Sequence, residues 1–551
     1  SGHVEIVGHG EGAVTAWFSS QLVLARVLAP YPNIIEPTDS LAEESFIDTL
    51  VNEKLKQLRL KQSPTAGDAE FLRRAYLDTI GTLPSPEETR RFLESTFPTK
   101  RERLVDHLLA RKEFVDYWTY KWSDILLING RVLRPDAIKS YYGWVRNHVR
   151  QNTPWDEFVT EVVTARGNSL ENGATNFYAV HQDPETMAEN VSQAFLSLSI
   201  NCAKCHNHPL EKWTNDQYYA FANLFSRVQA KGWASDTRSG DGRRVLYVEK
   251  RGELIQPRTG QPQPPAPLDG EPIAFDDPDD RREKLATWLT SPDNPYFSRA
   301  ITNRIWANFF GVGLVEPVDD LRVSNPASNE TLLSAAAHFL VENQYDVKTL
   351  MRAILNSKTY QRSSEPLTEN LGDSRYYSRY YPKRLMAEVL HDAIADVTGV
   401  PSDFNAIAFP GGDVQKTNFY PEGTRAIELY DSAVASYFLK TFGRNERAIT
   451  CECERSNEPS MVQVLHLSNG ETINNKLQDA KARLTSWLAD ALPAGNLVDE
   501  AYLHAFSRFP RESEKKPIVE ILDSTPPEER RQVLEDLFWA LFSSREFLFN
   551  H

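Results

Sequence analysis

Apolar side chains recur at helical spacing through almost the whole chain, and this pattern restricts the possible folds more than any other feature. Residues three or four positions apart lie on one face of an α-helix, as Phe114, Trp118 and Trp122 would here. Strand-like patterns are limited to residues 4–28 and 245–248. We therefore predict a mainly α protein with a short N-terminal β segment.

The length of the chain and the distribution of its prolines predict more than one domain. A chain of 551 residues is too long for a single hydrophobic core. Six prolines lie between residues 254 and 272, a composition typical of an extended linker. We expect a β segment over 1–36, a first helical domain over 37–228, an irregular Pro-rich linker over 229–280 and a second helical domain over 281–551.

A weak internal repeat links the two ends of the chain. The tripeptide Ala-Tyr-Leu, followed at fixed distances by a proline and a glutamate, begins at residue 75 and again at residue 501. Both copies indicate a helix, a proline turn and further helices. Because duplicated helical units usually stack against each other, we predict that residues 71–118 pack near residues 501–549.

The composition argues against some classes of function. The net charge is −15, with 76 acidic and 61 basic side chains, so we expect no surface for nucleic acid. No run of 18 apolar residues is present, and we expect no membrane span. Four cysteines are too few for a disulfide-built scaffold, and their arrangement as two close pairs suggests chemistry.

The most specific motif is C-x-x-C-H, formed by Cys202, Cys205 and His206. Two thiols at this spacing can bond the two vinyl-derived carbons of a porphyrin, and the imidazole that follows can bind its iron. The motif predicts covalent haem c, with His208 and Trp213 as further contacts. A thioredoxin-like pair or half of a zinc site also begins with C-x-x-C, so zinc or no cofactor at all is the alternative.

The sequence offers few candidates for a sixth ligand to a haem iron. An electron carrier usually supplies methionine or histidine at that position. None of the four methionines lies in an obvious ligand loop. His181, in a loop before the motif, is the better-placed candidate. Without it, we expect water at the sixth position.

The second cysteine pair, Cys451 and Cys453, permits two interpretations. The C-x-C spacing is tight for a disulfide bond but possible in an exported protein. Alternatively, the two thiols join Cys202 and Cys205 in a four-sulfur metal centre.

Two classes of function are open from these residues. One is an exported haem protein in electron transfer or redox chemistry, which includes a haem-dependent oxidoreductase. The other is an extracellular polysaccharide-active enzyme like a glycoside hydrolase, in which the cysteine motif is structural or binds another metal. Its general acid and base would be paired carboxylates, either Asp319 with Asp320 or Glu428 with Asp431.

Several longer motifs resemble a known family, the planctomycete cytochrome c-like proteins. The first of its two linked domains is indicated by FLRRAYLD (71–78), NCAKCHNHPLEKWT (201–214) and DQYY (216–219). The usual second domain is indicated by NRIW (303–306), GLVEPVDD (313–320), SNP (324–326), CECER (451–455) and FLFNH (547–551). The resemblance covers residues 40–551.

The resemblance implies export to the periplasm or the extracellular space, a haem motif and a link to polysaccharide breakdown, but no established reaction. Residues 1–36 look like the end of an immunoglobulin-like β domain. Relatives often carry a further cytochrome c domain upstream. The expected partners are upstream domains of a longer protein, together with a redox protein or a polysaccharide.

Overall fold

The computed structural model describes residues 3–18, 21–34, 45–231, 243–408, 413–455 and 460–551. The chain divides into two compact units, each assembled from separate segments. The first unit consists of residues 1–63, 121–380 and 447–454, and the second consists of residues 64–120, 381–446 and 455–551.

Helices dominate the first unit, as the spacing of apolar residues predicts. Its core contains fully buried rings such as Trp306, whose centroid lies 4.4 Å from that of Phe310. Its α-helices are Phe46–Leu58, Pro135–Gln151, Trp155–Thr164, Asn176–Val180, Pro184–Val191, Asn215–Ala222, Arg281–Leu289, Phe297–Phe310, Glu330–Glu342 and Val347–Asn356. Helix Lys112–Ile125 is divided between the units at residue 120.

Strands are short and few in the described part of the first unit. Gly10–Phe18 and Gln21–Ala29 form an antiparallel hairpin within the predicted β segment. Val245–Val248 is the middle strand of a three-stranded antiparallel sheet, between Gly167–Asn168 and Val228–Lys231. A further pair is Ile255–Gln256 with Gln261–Pro262. The prediction of a mainly α protein is confirmed.

The second unit is also helical. Its α-helices are Asp68–Ile80, Pro86–Glu94, Lys100–Ala110, Ala387–Thr398, Tyr437–Thr441, Met461–Asn469, Glu471–Gln478, Arg483–Ala489, Ala494–Phe506, Glu512–Ser524, Arg530–Ser543 and Arg545–Leu548. Two antiparallel pairs accompany them, Lys383–Arg384 with Phe549–Asn550 and Ala406–Ala408 with Val414–Lys416. In the part of the chain that the structure describes, no helix is both long and apolar enough to cross a membrane.

The Pro-rich segment is not a linker, which corrects the prediction for residues 229–280. The N–H of Ala266 donates to the carbonyl of Ala220 at 3.0 Å, and the Asn223 amide donates to the carbonyl of Gln263 at 2.7 Å. Leu268 is 1% exposed. Prolines keep this backbone irregular, but its carbonyls still accept hydrogen bonds, so the segment packs into the first unit.

The predicted domain boundaries also differ from the compact units. A boundary within 229–280 would leave residues 121–228 and 281–380 in separate domains, whereas both belong to the first unit. The physical reason is that the packing of helices distant in sequence, rather than the linear order of elements, determines which residues share a core.

The two repeat copies pack against each other within the second unit. The buried guanidinium of Arg73 donates to the carbonyls of Ala505, Glu546 and Phe547 at 2.8, 3.3 and 3.2 Å. The prediction that residues 71–118 lie near residues 501–549 is therefore confirmed.

The copies also share a side-chain arrangement. Arg111 lies over the ring of Tyr76 and binds the carboxylates of Glu88 and Glu113 at 2.7 and 3.0 Å. In the second copy, an arginine lies over Tyr502 and binds two glutamates in the same way.

That second arginine is Arg508, whose guanidinium carbon lies 5.4 Å from the centre of the Tyr502 ring. It binds Glu514 at 2.8 Å and Glu546 at 2.6 Å. One tyrosine and two glutamates surround the arginine in both copies, which supports a duplicated helical unit.

Candidate functional site

The C-x-x-C-H motif lies on the surface of the first unit. Asn201–Lys204 form a single 3₁₀ turn, and Cys205 follows it directly. We call residues 201–205 the thiol turn. Cys202 and Cys205 are both exposed free thiols. The turn therefore presents two reactive sulfur atoms to solvent.

Helix Asn215–Ala222 holds the thiol turn in place. The Asn215 amide, which is buried, donates to the carbonyls of Ala203 and Lys204 at 2.8 and 2.9 Å. Its oxygen accepts a hydrogen bond from the fully buried Gln256 at 2.5 Å. The Pro-rich segment thus helps to fix the turn. The capping box of Thr214 and Gln217 marks the helix start in the sequence, but nothing there reveals the role of Asn215.

His206 is exposed, and its Nδ1 lies 2.7 Å from the carbonyl oxygen of Asn207. A carbonyl can only accept, so Nδ1 carries the ring hydrogen and Nε2 keeps its lone pair. A hydrogen bond from one ring nitrogen to a carbonyl is the usual way in which a metal-binding histidine is oriented. His206 can therefore serve as a ligand through Nε2.

His208 is turned inward. Its Nδ1 accepts a hydrogen bond from the N–H of Leu210 at 3.1 Å, and its backbone N–H donates to the carbonyl of Trp213 at 2.8 Å. Burial lowers the pKa of its imidazole, and the positive charges of Arg322 and His206 lower it further. His208 therefore stabilises the loop after the thiol turn as a neutral side chain.

Trp213 does not line the surface beside the thiols, which corrects its prediction as a haem contact. It is 1% exposed, and its ring meets that of Tyr296 edge-on at 6.2 Å. Its indole is therefore part of the core beneath the motif loop, where a large ring is buried for packing.

His181 is also in the core. It is 3% exposed, and its ring packs edge-on against Phe177 with centroids 4.9 Å apart. Burial lowers the pKa of its imidazole to about 3, so it is neutral. A ligand to an iron held at the exposed His206 would have to reach the surface, so we do not include His181 in the site.

A loop from the second half of the sequence lies beside the thiol turn. We call residues 318–326 the Asp319 loop. The hydroxyl of Ser324 donates to the buried carboxylate of Glu211 at 3.1 Å, and burial raises the pKa of Glu211. Arg322 pairs with Asp320 and interacts electrostatically with Cys202. Glu211 lies in a motif quoted above and Arg322 lies between two of them, but no pattern in the sequence predicts that their charges interact.

The cysteine pair near residue 451 approaches the same loop. The N–H of Glu452 donates to the Asp319 carboxylate at 3.1 Å. The hydroxyl of Thr450 donates to the Asn190 side chain at 2.7 Å. Motifs from both halves of the chain therefore converge around the Asp319 loop.

Cys451 is disulfide-bonded, while Cys202 and Cys205 are free. The side chain of Cys453 lies outside the described residues. A disulfide sulfur is not a thiolate ligand, so this arrangement does not provide the four-sulfur centre considered above.

Three of the four carboxylates considered for acid–base catalysis accept backbone hydrogen bonds. Asp319 accepts from Glu452, Glu428 from the N–H of Arg425 at 2.9 Å, and Asp431 from the N–H of Ala433 at 2.8 Å.

The fourth, Asp320, is paired with Arg322. These contacts give each carboxylate a structural role. They support no acid–base pair.

The described residues contain no group of three or more His, Cys, Asp or Glu arranged to hold a metal ion. Structural zinc is bound by four such ligands around one point, and catalytic zinc by three. Haem attachment requires a different arrangement, namely two thiols that bond the porphyrin edge and one imidazole for the iron.

Residues 46–230 match the model of a family described as PSCyt2, a protein of unknown function (DUF1549). Residues 281–522 match a second family, described as PSD1, a protein of unknown function (DUF1553). Both families are associated with planctomycetes. Neither description names haem. No curated protein and no solved structure matches the chain.

Proposed function

We propose that this chain, with its PSCyt2 and PSD1 segments, is an exported redox protein that binds haem c at the thiol turn. Cys202 and Cys205 would form thioether bonds to the haem, and His206 would bind its iron. The observation that supports this proposal most is the exposure of two free thiols and an imidazole on one short turn.

The side chains of Cys202, Cys205 and His206 fit a covalently bound haem. Both thiols are at the surface, where a porphyrin edge can reach them. The Nδ1 of His206 is engaged by the carbonyl of Asn207, which leaves Nε2 for the iron. When bound, haem supplies one-electron chemistry at its iron.

The protein around the turn supplies rigidity and charge. Asn215 fixes two backbone carbonyls of the thiol turn, between Cys202 and Cys205. Arg322 places a positive charge near Cys202. His208, being neutral and inward, leaves His206 as the exposed imidazole of the motif.

The disulfide bond of Cys451 supports export. Disulfide bonds persist in oxidising compartments and are rare in the cytosol of mesophiles. A periplasmic or extracellular location is also the one that the resemblance to planctomycete cytochrome c-like proteins implies.

The experiment is to produce the full chain in an exporting host that has haem-attachment machinery. We expect a Soret absorption band that survives acid–acetone extraction, because thioether bonds do not dissociate. The double variant Cys202→Ala/Cys205→Ala should lose the extraction-resistant colour while remaining folded.

Two histidine variants provide a matched comparison. His206→Ala should keep the covalent colour but change the absorption bands, because the iron loses its ligand. His208→Ala should leave the bands unchanged. A folded, exported wild-type protein without bound haem would contradict the proposal.

A further inference from the structure

The second unit contains a cluster of nucleophilic and basic side chains. Ser402 lies in the loop after helix Ala387–Thr398 and is partly exposed to solvent. His391 and Asp392 lie on that helix and are buried. Lys476, on helix Glu471–Gln478, is 7% exposed. The cluster thus combines one partly exposed hydroxyl with three buried polar side chains.

The Lys476 amine is surrounded by three oxygen atoms. Its Nζ lies 2.7 Å from the carbonyl oxygen of Val400, 3.0 Å from that of Pro401 and 2.9 Å from the Ser402 hydroxyl. Burial lowers the pKa of Lys476 to about 8, although neighbouring carboxylates, Asp392 first, oppose the shift. A substantial fraction of this amine is therefore neutral near pH 8.

The three oxygen atoms around Nζ can also accommodate the neutral form of the Lys476 amine. A neutral amine has two N–H donors and one lone pair. Carbonyl oxygens can only accept, so those of Val400 and Pro401 take the two N–H groups. The protonated amine donates to all three oxygens, Ser402 included. When it loses a proton, its lone pair is left for the Ser402 hydroxyl, the only one of the three groups that can donate.

A histidine approaches the same hydroxyl from the helix. The Nε2 of His391 lies 3.5 Å from the Ser402 oxygen, and its Nδ1 lies 3.6 Å from the Asp392 carboxylate. Backbone N–H groups of Ala426 and Ile427 fix that carboxylate at 2.7 and 3.1 Å. The two distances from the His391 ring, 3.5 and 3.6 Å, are long for hydrogen bonds, but catalytic contacts often shorten only when substrate binds.

We propose that Ser402 is the nucleophile and Lys476 the general base of a second site, which hydrolyses carboxylic esters. The Ser402 oxygen attacks the ester carbonyl carbon while its proton passes to Nζ of Lys476. The bond between carbonyl carbon and alcohol oxygen breaks, and the alcohol leaves with that proton. Water then attacks the acyl-serine, Lys476 accepts and returns a proton, and the carboxylic acid and free Ser402 are released.

His391 is a positioning residue in this scheme. Its imidazole packs between the rings of Phe404 and Phe438, with centroids 5.3 and 5.2 Å away. A ring held in this way keeps its Nε2 beside the Ser402 oxygen. His391→Gln should raise KM little and lower kcat, whereas loss of the fold would lower the melting temperature as well.

The test uses the full chain, a fluorophosphonate probe and p-nitrophenyl acetate. We expect the probe to label Ser402, as located by mass spectrometry, and the protein to hydrolyse the ester. Ser402→Ala should abolish both, whereas Ser486→Ala, on an exposed serine of the same unit, should change neither. Haem binding plays no part in this assay, so its result is independent of the function proposed above.

A second variant tests the base without removing the positive group. Lys476→Arg keeps N–H donors for Val400 and Pro401 but cannot lose its proton, so turnover should fall by roughly 10²- to 10⁴-fold. Lys481→Arg, on an exposed lysine, is the control. The proposal is overturned if folded wild-type protein is neither labelled nor faster than Ser402→Ala, if the label lies elsewhere, or if Lys476→Arg stays fully active.

Discussion

The N–H of Glu452 donates a hydrogen bond to the carboxylate of Asp319 at 3.1 Å. These residues are 133 positions apart, and each belongs to a different motif of the second half of the chain. Through this bond the backbone beside the Cys451 disulfide is attached to the loop that borders the thiol turn.

Replacing Asp319 should loosen residues 447–454. Asp319→Ala leaves the Glu452 N–H without its acceptor, which should cost about 1–3 kcal/mol of unfolding free energy. Urea denaturation and hydrogen exchange would measure it. Asp320→Ala is the matched control, because its partly exposed pair with Arg322 is worth about 0–1 kcal/mol. Equal exchange protection in both variants would contradict the assigned role.

Replacing Asn215 should free the thiol turn. Asn215→Ala removes both hydrogen bonds to the turn and leaves the buried Ala203 carbonyl without this donor, for a loss of about 1–3 kcal/mol. We expect Cys202 and Cys205 to react faster with iodoacetamide in protein produced without haem. Asn405→Ala, on an exposed residue, should leave the rate unchanged. An unaltered rate in Asn215→Ala would show that the turn is held by other contacts.

Buried His181 should make the first unit sensitive to acid. Its folded-state pKa is lowered to about 3 by burial, whereas an unfolded histidine titrates near pH 6.5. The unfolded chain therefore binds the extra proton, and stability present above pH 6.5 is lost as the pH falls towards 3. This histidine contributes a slope of about 1.4 kcal/mol per pH unit.

His181→Leu should remove that contribution, which denaturation curves between pH 4 and 7 would reveal. His338→Gln serves as the comparison, because the His338 side chain is 72% exposed. If both variants show the wild-type pH dependence, the His181 imidazole is not buried in solution.

Arg508 should stabilise the second unit. Arg508→Ala removes a guanidinium that bridges Glu514 and Glu546 and lies over Tyr502. The three charged side chains are partly exposed, so we expect a loss of about 1–2 kcal/mol, measured as a lower urea midpoint. Lys481→Ala should have almost no effect, because its pair with Glu422 is 4.0 Å long and exposed. A midpoint shift no larger than that of Lys481→Ala would argue against the bridging role.

The helical content was predictable because it depends on local spacing. Phe114 and Trp118 occupy one helix face in the structure, with ring centroids 6.0 Å apart. Local patterns therefore predict which segments are helical.

Long-range packing could not be predicted. Nothing local distinguishes a Pro-rich linker from a Pro-rich segment whose Gln256 side chain is buried against Asn215. Trp213 illustrates the same limit, because a tryptophan beside a motif suits a surface ring or a core ring equally well. Whether such a ring is buried depends on the packing of segments that are distant in sequence.

The interleaved course of the chain has a consequence for inheritance. Each compact unit contains residues from both the 46–230 and the 281–522 segments. A gene broken between codons 230 and 281 would encode two polypeptides, neither with a complete hydrophobic core. We therefore expect a gene for this protein to keep the two segments together.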